Sequence, residues 1–236
     1  MNSKIKNIQN ELNRLSNKQI AEHSQRFFKT GKGEYGEGDK FLGIRVPPLR
    51  QLAKKYKDIS INEATLLLKS QFHEERLLSL YMLIDLYRAA DSQGKKEIYT
   101  IYLSNTRFIN NWDLVDSSAE HIVGAHLWKI VRQPLYDLAK SKNLWKRRIS
   151  IMSTFHFIKR SDFVDTLKIS GILLYDVEDL INKAVGWMLR EVGKRNLKIE
   201  EDFLKKHYKK MPRIMLRYAI EKFPKSKREK YLKGSI

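Results

Sequence analysis

The stretch NNWDLVDSS, residues 110–118, sets two carboxylates and a tryptophan together in a chain of 46 Lys and Arg against 27 Asp and Glu. On a helix, Trp112 and Asp116 stand four residues apart and project from the same side, whereas Asp113 is turned away from them. Asp113 therefore reads as a helix-start or surface charge. Asp116 borders an apolar stripe of Val115, Ala119, Ile122 and Val123. A carboxylate there is either paired with a cation such as Arg148 or kept for chemistry, and surrounding positive charge favours its ionised form. An ionised carboxylate flanked by indoles suits a reaction that develops positive charge on a sugar. Scission of an N-glycosidic bond, through an oxocarbenium-like transition state, is such a reaction. A departing base that already carries a positive charge leaves without a general acid, so one carboxylate suffices.

Two other segments hold side chains at odds with their surroundings. In NLWKRRISIMSTFHFI, residues 143–158, Leu144, Trp145, Ile149, Ile151, Met152 and Phe155 form an apolar stripe with Arg148 near its middle. A buried guanidinium needs an anion, either a carboxylate from an adjacent helix or a phosphate held by bidentate contacts. In DVEDLINKAVGWMLREVGK, residues 176–194, the stripe is Val177, Leu180, Ile181, Ala184, Val185, Met188, Leu189 and Val192. Trp187 falls at its edge, with Lys183, Arg190 and Lys194. It is either a rim tryptophan packed on a neighbouring element or an aromatic surface beside a phosphate-binding stripe.

The whole-chain composition narrows the partners. A formal charge of +19 and a pI near 9.9 point to a polyanion, nucleic acid first and an anionic membrane surface second. With no cysteine there are no disulfides, thiolate nucleophiles or Cys-based zinc sites. The six histidines show no HxxxH or HExxH spacing, so neither a metal nor a cofactor is expected. No run approaches the roughly 20 apolar residues of a membrane span, and the N-terminal MNSKIKNIQNELNRLSN lacks a signal-peptide core. These features fit a soluble, cytoplasmic, monomeric protein.

The elements that must position these residues are helical. Apolar residues recur every three or four positions and sustained alternation is lacking, which predicts an all-α chain. Ser60 with Glu63, and Ser226 with Glu229, read as capping boxes. Gly31 to Arg50 gathers five of the eleven glycines and two of the five prolines, and is the main irregular segment. After it, the periodicity pairs helices 62–71 with 73–90, 93–105 with 110–131, 133–140 with 144–157, 161–171 with 177–194, and 199–207 with 211–221. Five hairpins at this rhythm predict a curved HEAT- or armadillo-like solenoid with a basic concave face, the whole chain 1–236 forming one domain. A compact irregular bundle is the alternative.

WDLVD at 112–116, WKRR at 145–148 and KAVGWMLRE at 183–191, in this order and together with the early RFFK and FLGIRVPPLR, resemble the AlkD family of bacterial DNA alkylpurine glycosylases. The resemblance spans nearly the whole chain. It implies a HEAT-like solenoid holding duplex DNA, and purines made cationic by alkylation, such as 3-methyladenine and 7-methylguanine, as substrates. It implies Asp116 as the catalytic carboxylate, Trp112 and Trp187 as contacts to the lesion's sugar and backbone, and Arg148 as a phosphate or structural partner. Lys183, Arg190 and Lys194 are candidate DNA contacts beside Trp187. The resemblance further implies recognition without flipping the base into a pocket. No motif lysine is placed for a Schiff base, so a monofunctional enzyme that leaves an abasic site is expected, working in the bacterial cytoplasm and nucleoid. At position 27 the family pattern has tyrosine and this chain has Phe27, which keeps a stacking surface and loses the hydroxyl. A non-catalytic DNA-binding scaffold and a protein-interaction module for an acidic partner are the other readings of such a chain.

Overall fold

The computed structural model describes residues 3–236, and they form an all-α, helical-repeat chain. The chain divides into two compact units, one ending at Ser118 and one beginning at Ala119.

The first unit opens with α1, Ser3–Leu15, and α2, Lys18–Phe27. Ile5, Ile8 and Leu12 form the buried face of α1, and the Asn17 side chain caps α2 by accepting from the Ile20 N–H at 3.0 Å. The glycine-rich segment then runs as turns and loop until α3, Val46–Lys55, whose first turn carries the two prolines that a helix tolerates only there. Within this loop Gly43 has φ +79°, and a Cβ there would lie 2.0 Å from the Asn17 carbonyl oxygen, so only glycine lets the loop pass the start of α2. Next come α4, Ile61–Leu68, and α5, His73–Ala89, the long helix on which both α3 and α4 pack. The Ser60–Glu63 capping box forms as expected. Helix α5 buries residues all round, including His73, Glu74, Glu75 and Arg76. The unit ends with α6, Ser92–Ser104, and the short α7, Trp112–Asp116.

The second unit begins with a π turn over Glu120–Gly124, followed by the single turn α8, Ala125–Leu127, and α9, Gln133–Ala139. Then follow α10, Leu144–Ser153, α11, Phe155–Ile158, and α12, Val164–Ile172. Helix α13, Asp179–Gly193, is the centre of this unit, packing on α10, α12, α14 (Leu197–His207) and α15 (Arg213–Ala219); α16, Lys225–Lys233, closes the chain. Among the described residues no helix is long and apolar enough to cross a membrane.

Several boundaries differ from those the periodicity predicts. The helix expected over 110–131 is broken after Asp116. Ser117 and Ser118 both donate to the Leu114 carbonyl, at 3.3 and 2.5 Å, and the chain widens into the π turn. Hydroxyls bonded back onto the preceding turn compete with helix propagation in this way. The helix expected over 144–157 divides at Thr154, where Ser153 donates to Ile149 and Thr154 to Ile151. Val177 is not part of the α13 stripe. It lies before the helix and is 88% exposed, because the Asp176 carboxylate binds Arg147 and accepts from the Glu178 N–H, holding this segment out of the helix. The Ser226 capping box does not form: α16 starts two residues earlier than it would imply, with Pro224 at the N-cap and no side-chain cap bond. Proline's fixed φ, −54° here, sets that start.

Candidate active site

In the first unit the short α7 carries the predicted carboxylate. Asn111 starts it, its side-chain oxygen accepting from the Trp112 N–H at 2.8 Å, and Leu114 and Val115 anchor it in the core with no exposed surface. Trp112 and Asp116 are both half-buried on this helix. Val115, Ala119, Ile122 and Val123 are fully buried, as the stripe predicts. Burial pushes the Tyr102 phenol up, and the nearby Asp116 charge adds to that shift. Tyr102 itself is hydrogen-bonded to Ser118 at 2.8 Å, tying α6 to the end of α7.

Trp112 belongs to an aromatic group. Its ring stacks on Phe28 at 5.2 Å and meets Phe27 edge-on at 5.9 Å, so the structure brings the predicted Phe27 to the predicted tryptophan. Phe27 is 57% exposed, a large apolar ring offered to solvent beside Trp112. Behind Phe28 lie Phe41, at 5.2 Å, and the imidazole of His73, at 5.1 Å. A cavity of about 710 Å³ opens among these residues, walled by Phe27, Phe28, Phe41, Ile44, Val46 and His73.

Asp113 is not a surface charge. It sits in the first turn of α7, as a helix-start residue does, but its Oδ2 lies 2.7 Å from Nε2 of His73, which is 2% exposed. The other ring nitrogen of His73 lies 3.2 Å from Asp39, which also accepts from Arg76 at 2.7 Å and Asn110 at 3.2 Å. Burial opposes the charged imidazolium, but Asp113 and Asp39 outweigh it and push His73 up to about 9. Burial likewise works against the Asp39 carboxylate, and His73, Arg76 and Asn110 more than offset it, holding Asp39 below the usual carboxylate range. This group is absent from any sequence motif: His73 is 34 residues from Asp39 and 40 from Asp113, and only the fold joins them.

The second unit holds the remaining candidates. Arg148 is buried, 5% exposed, and its guanidinium donates to the Leu180 carbonyl at the start of α13. Trp187 is half-buried, with Nε1 donating to Glu191 at 3.3 Å and its ring 6.2 Å from Phe155. Lys183 is half-buried one turn earlier. Two of the predicted cations have carboxylate partners, Arg190 with Glu221 and Lys194 with Glu191 at 2.6 Å. Burial disfavours the Glu191 carboxylate, but Lys194, Arg195 and Trp187 outweigh it and lower its pKa. Two cations that the sequence stripe missed lie against Phe155: Lys159 at 4.3 Å and Arg195 at 5.8 Å from the ring centre. Beside it His156 packs against Trp128 at 6.0 Å, and burial, helped by Arg160, His121 and Lys159, lowers its pKa to about 4, leaving it neutral. The interleaving of aromatic and basic residues in this stretch was visible in TFHFIKR, residues 154–160, as composition without geometry.

An all-α helical-repeat chain with a half-buried aspartate on the same short helix as Trp112, and with a large surplus of positive charge, defines the class. Residues 8–223 match the model of the family described as DNA alkylation repair enzyme, and the chain belongs to that family. Membership assigns it to DNA repair of alkylation damage. Among solved structures, one from Enterococcus faecalis described as a predicted DNA alkylation repair enzyme is similar, with a TM-score of 0.68 and 16% identity. The match covers 89% of this chain and 97% of that one. At that identity the likeness speaks for the fold. Comparison with curated proteins finds no match.

Proposed function

We propose that this protein is a monofunctional DNA glycosylase that hydrolyses the N-glycosidic bond of cationic alkylated purines, of the 3-methyladenine and 7-methylguanine type, in duplex DNA. The observation that carries this reading is Asp116, a half-buried carboxylate on the same short helix as Trp112, in a chain of net charge +19 that belongs to an alkylation repair family. The basic surface attracts the duplex, with affinity that falls steeply as salt rises. Trp112 and Phe27 contact the sugar and backbone at the lesion, and the indole face favours the polarised C–H groups of a sugar acquiring positive charge. In the second unit Trp187 and Lys183 contact the backbone, as do Arg190 and Lys194 when they exchange carboxylate for phosphate. Arg148 serves as a structural partner, holding the start of α13 through the Leu180 carbonyl.

In the reaction the bond from the anomeric carbon to N9 of the purine breaks, and its electron pair neutralises the positive charge on the base. Asp116 stabilises the oxocarbenium-like sugar and orients a water toward the anomeric carbon. The water's proton passes to the carboxylate or to solvent, leaving an abasic site. No general acid is required, because the alkylated base leaves as a neutral molecule.

Duplex DNA carrying 7-methylguanine, incubated with the protein, tests this directly by chromatography of the released base. Release of 7-methylguanine with formation of alkali-labile abasic sites is the expected result. Salt-dependent binding of the same duplex without any release would establish a non-catalytic DNA-binding protein instead.

A further inference from the structure

The buried His73 group has no place in the mechanism above, yet it grips the helix that carries the mechanism's residues. We propose that His73 is a positioning residue whose doubly protonated ring, held between Asp39 and Asp113, fixes the first turn of α7 and so the orientation of Trp112 and Asp116. The role rests on the glycosylase reading.

The geometry makes the protonated ring the form that fits. Both nitrogens face carboxylate oxygens, Nδ1 toward Asp39 at 3.2 Å and Nε2 toward Asp113 at 2.7 Å. A neutral imidazole has one N–H and would set its bare nitrogen against an acceptor. The ring packs in an aromatic cluster as well, stacked on Phe41 at 4.6 Å and tilted against Phe28 at 5.1 Å, and Phe28 in turn stacks on Trp112. Asp113 is therefore held by His73 along the ring plane while its neighbour Trp112 is supported through Phe28. The backbone of His73 is fixed too, its N–H donating to the Lys40 carbonyl at 2.8 Å. Asp116 lies one turn beyond Asp113 on a helix of five residues, so the hold on the first turn adds to the buried Leu114 and Val115 in setting its direction.

The charged groups facing the ring come from three places. The loop presents Asp39, which is shared with Arg76 and Asn110; α7 presents Asp113; and α5 itself presents Arg76, whose positive charge works against the imidazolium. Glu74, next along α5, is committed elsewhere, accepting from the N–H groups of Leu42 at 2.9 Å, Gly43 at 2.8 Å and Ile44 at 3.2 Å. Loss of the proton leaves Asp39 and Asp113 facing a ring that can donate to only one of them. The free side-chain angle of Asp113 then passes to the whole first turn of α7. The group is consequently a pH-sensitive support: intact through neutral pH and released as pH rises through about 9.

The test combines a direct titration of His73 with a rate profile. Protein labelled with ¹⁵N at its histidines reports by NMR whether the His73 ring carries two protons, and single-turnover release of 7-methylguanine is measured over pH 6–10. The expected result is a ring that stays doubly protonated to near pH 9, with a rate that falls over the same range. His73→Gln, confirmed folded by circular dichroism, is expected to be slower by about 10–100-fold, the scale of a misplaced reacting group, and to lack the alkaline decline. Asp113→Asn keeps the shape of the side chain, so it serves if the glutamine variant does not fold. It is expected to move both the NMR midpoint and the alkaline decline toward neutral pH. A His73 ring that is neutral at pH 7.5, an unchanged rate in His73→Gln, or a flat wild-type profile would overturn the positioning role. No release by the wild type at any pH overturns the glycosylase reading and the role with it, a failure distinct from release that proceeds normally without His73.

Discussion

Gly124, the last residue of the π turn, provides a test of how tightly the second unit is assembled. A Cβ built on it would lie 2.2 Å from the Ser153 carbonyl oxygen and 2.8 Å from the Cβ of His156. Close carbon–oxygen contacts in proteins lie at about 3.3 Å or more. Gly124→Ala therefore requires the turn and the end of α10 to separate by roughly 1 Å. The obstructing atom is a backbone carbonyl, which cannot swing aside as a side chain does. Overpacking by one carbon costs about 1–3 kcal/mol, and the upper end applies to a rigid neighbour. Alanine's better helical propensity returns about 1 kcal/mol. The net loss is then about 2 kcal/mol, or about 4–8 °C in Tm for a chain of this size. Gly171, in the last turn of α12, is the matched control, because nothing lies within 4 Å of the position its Cβ would take. Gly171→Ala should be neutral or more stable by up to about 1 kcal/mol. Thermal melts followed by circular dichroism compare the two. Equal stability of Gly124→Ala and wild type, or an equal loss in both variants, would refute the claim that close backbone approach selects glycine at 124.

Other predictions concern buried polar groups. Glu200 is buried against Gly193, and burial, with the charge of Glu201, pushes its carboxyl up to about 8 from an ordinary 4.5. The folded form holds this proton more tightly than the unfolded chain, so stability should fall as pH rises from about 4.5 to about 8 and level off above. Glu200→Gln should gain on wild type across that window in melts at pH 5 and pH 8.5. Glu74→Gln replaces part of a carboxylate that receives three backbone N–H groups, and leaves the loop donor at Leu42 facing an amide nitrogen. A loss of about 1–3 kcal/mol and faster hydrogen exchange at Leu42 are expected. Tyr102→Phe removes a fully buried hydroxyl bonded to Ser118 and should cost about 1 kcal/mol, read from urea unfolding.

Much of this architecture is legible locally. The Ser60 capping box, the buried face of α10 with Arg148 inside it, and Trp187 at the edge of the α13 stripe all follow from spacing along one helix, and the structure reproduces them. Local spacing failed where a side chain bonded back to the main chain. Ser117, Ser118 and Thr154 end helices that the apolar pattern would have continued, and Asp176 keeps Val177 outside α13. It failed again for Asp113, whose charge looks surplus in the sequence and in the fold is matched to a histidine 40 residues away. Cations beside Trp187 read as free phosphate contacts from the stripe alone, whereas Arg190 and Lys194 have carboxylate partners that come from sequence-distant or adjacent turns. Pairings of this kind are set by tertiary contact, which periodicity does not encode.

The central claim is that Asp116 acts on the sugar during bond scission and is not needed merely to hold DNA. Single-turnover release of 7-methylguanine by wild type and Asp116→Asn, measured alongside binding of the same duplex, tests it most directly. The expected result is binding within about twofold and release slowed by about 100-fold or more, the loss typical of removing one electrostatic stabiliser of a transition state. Release by Asp116→Asn at the wild-type rate, or a slower rate fully accounted for by weaker binding, would contradict it.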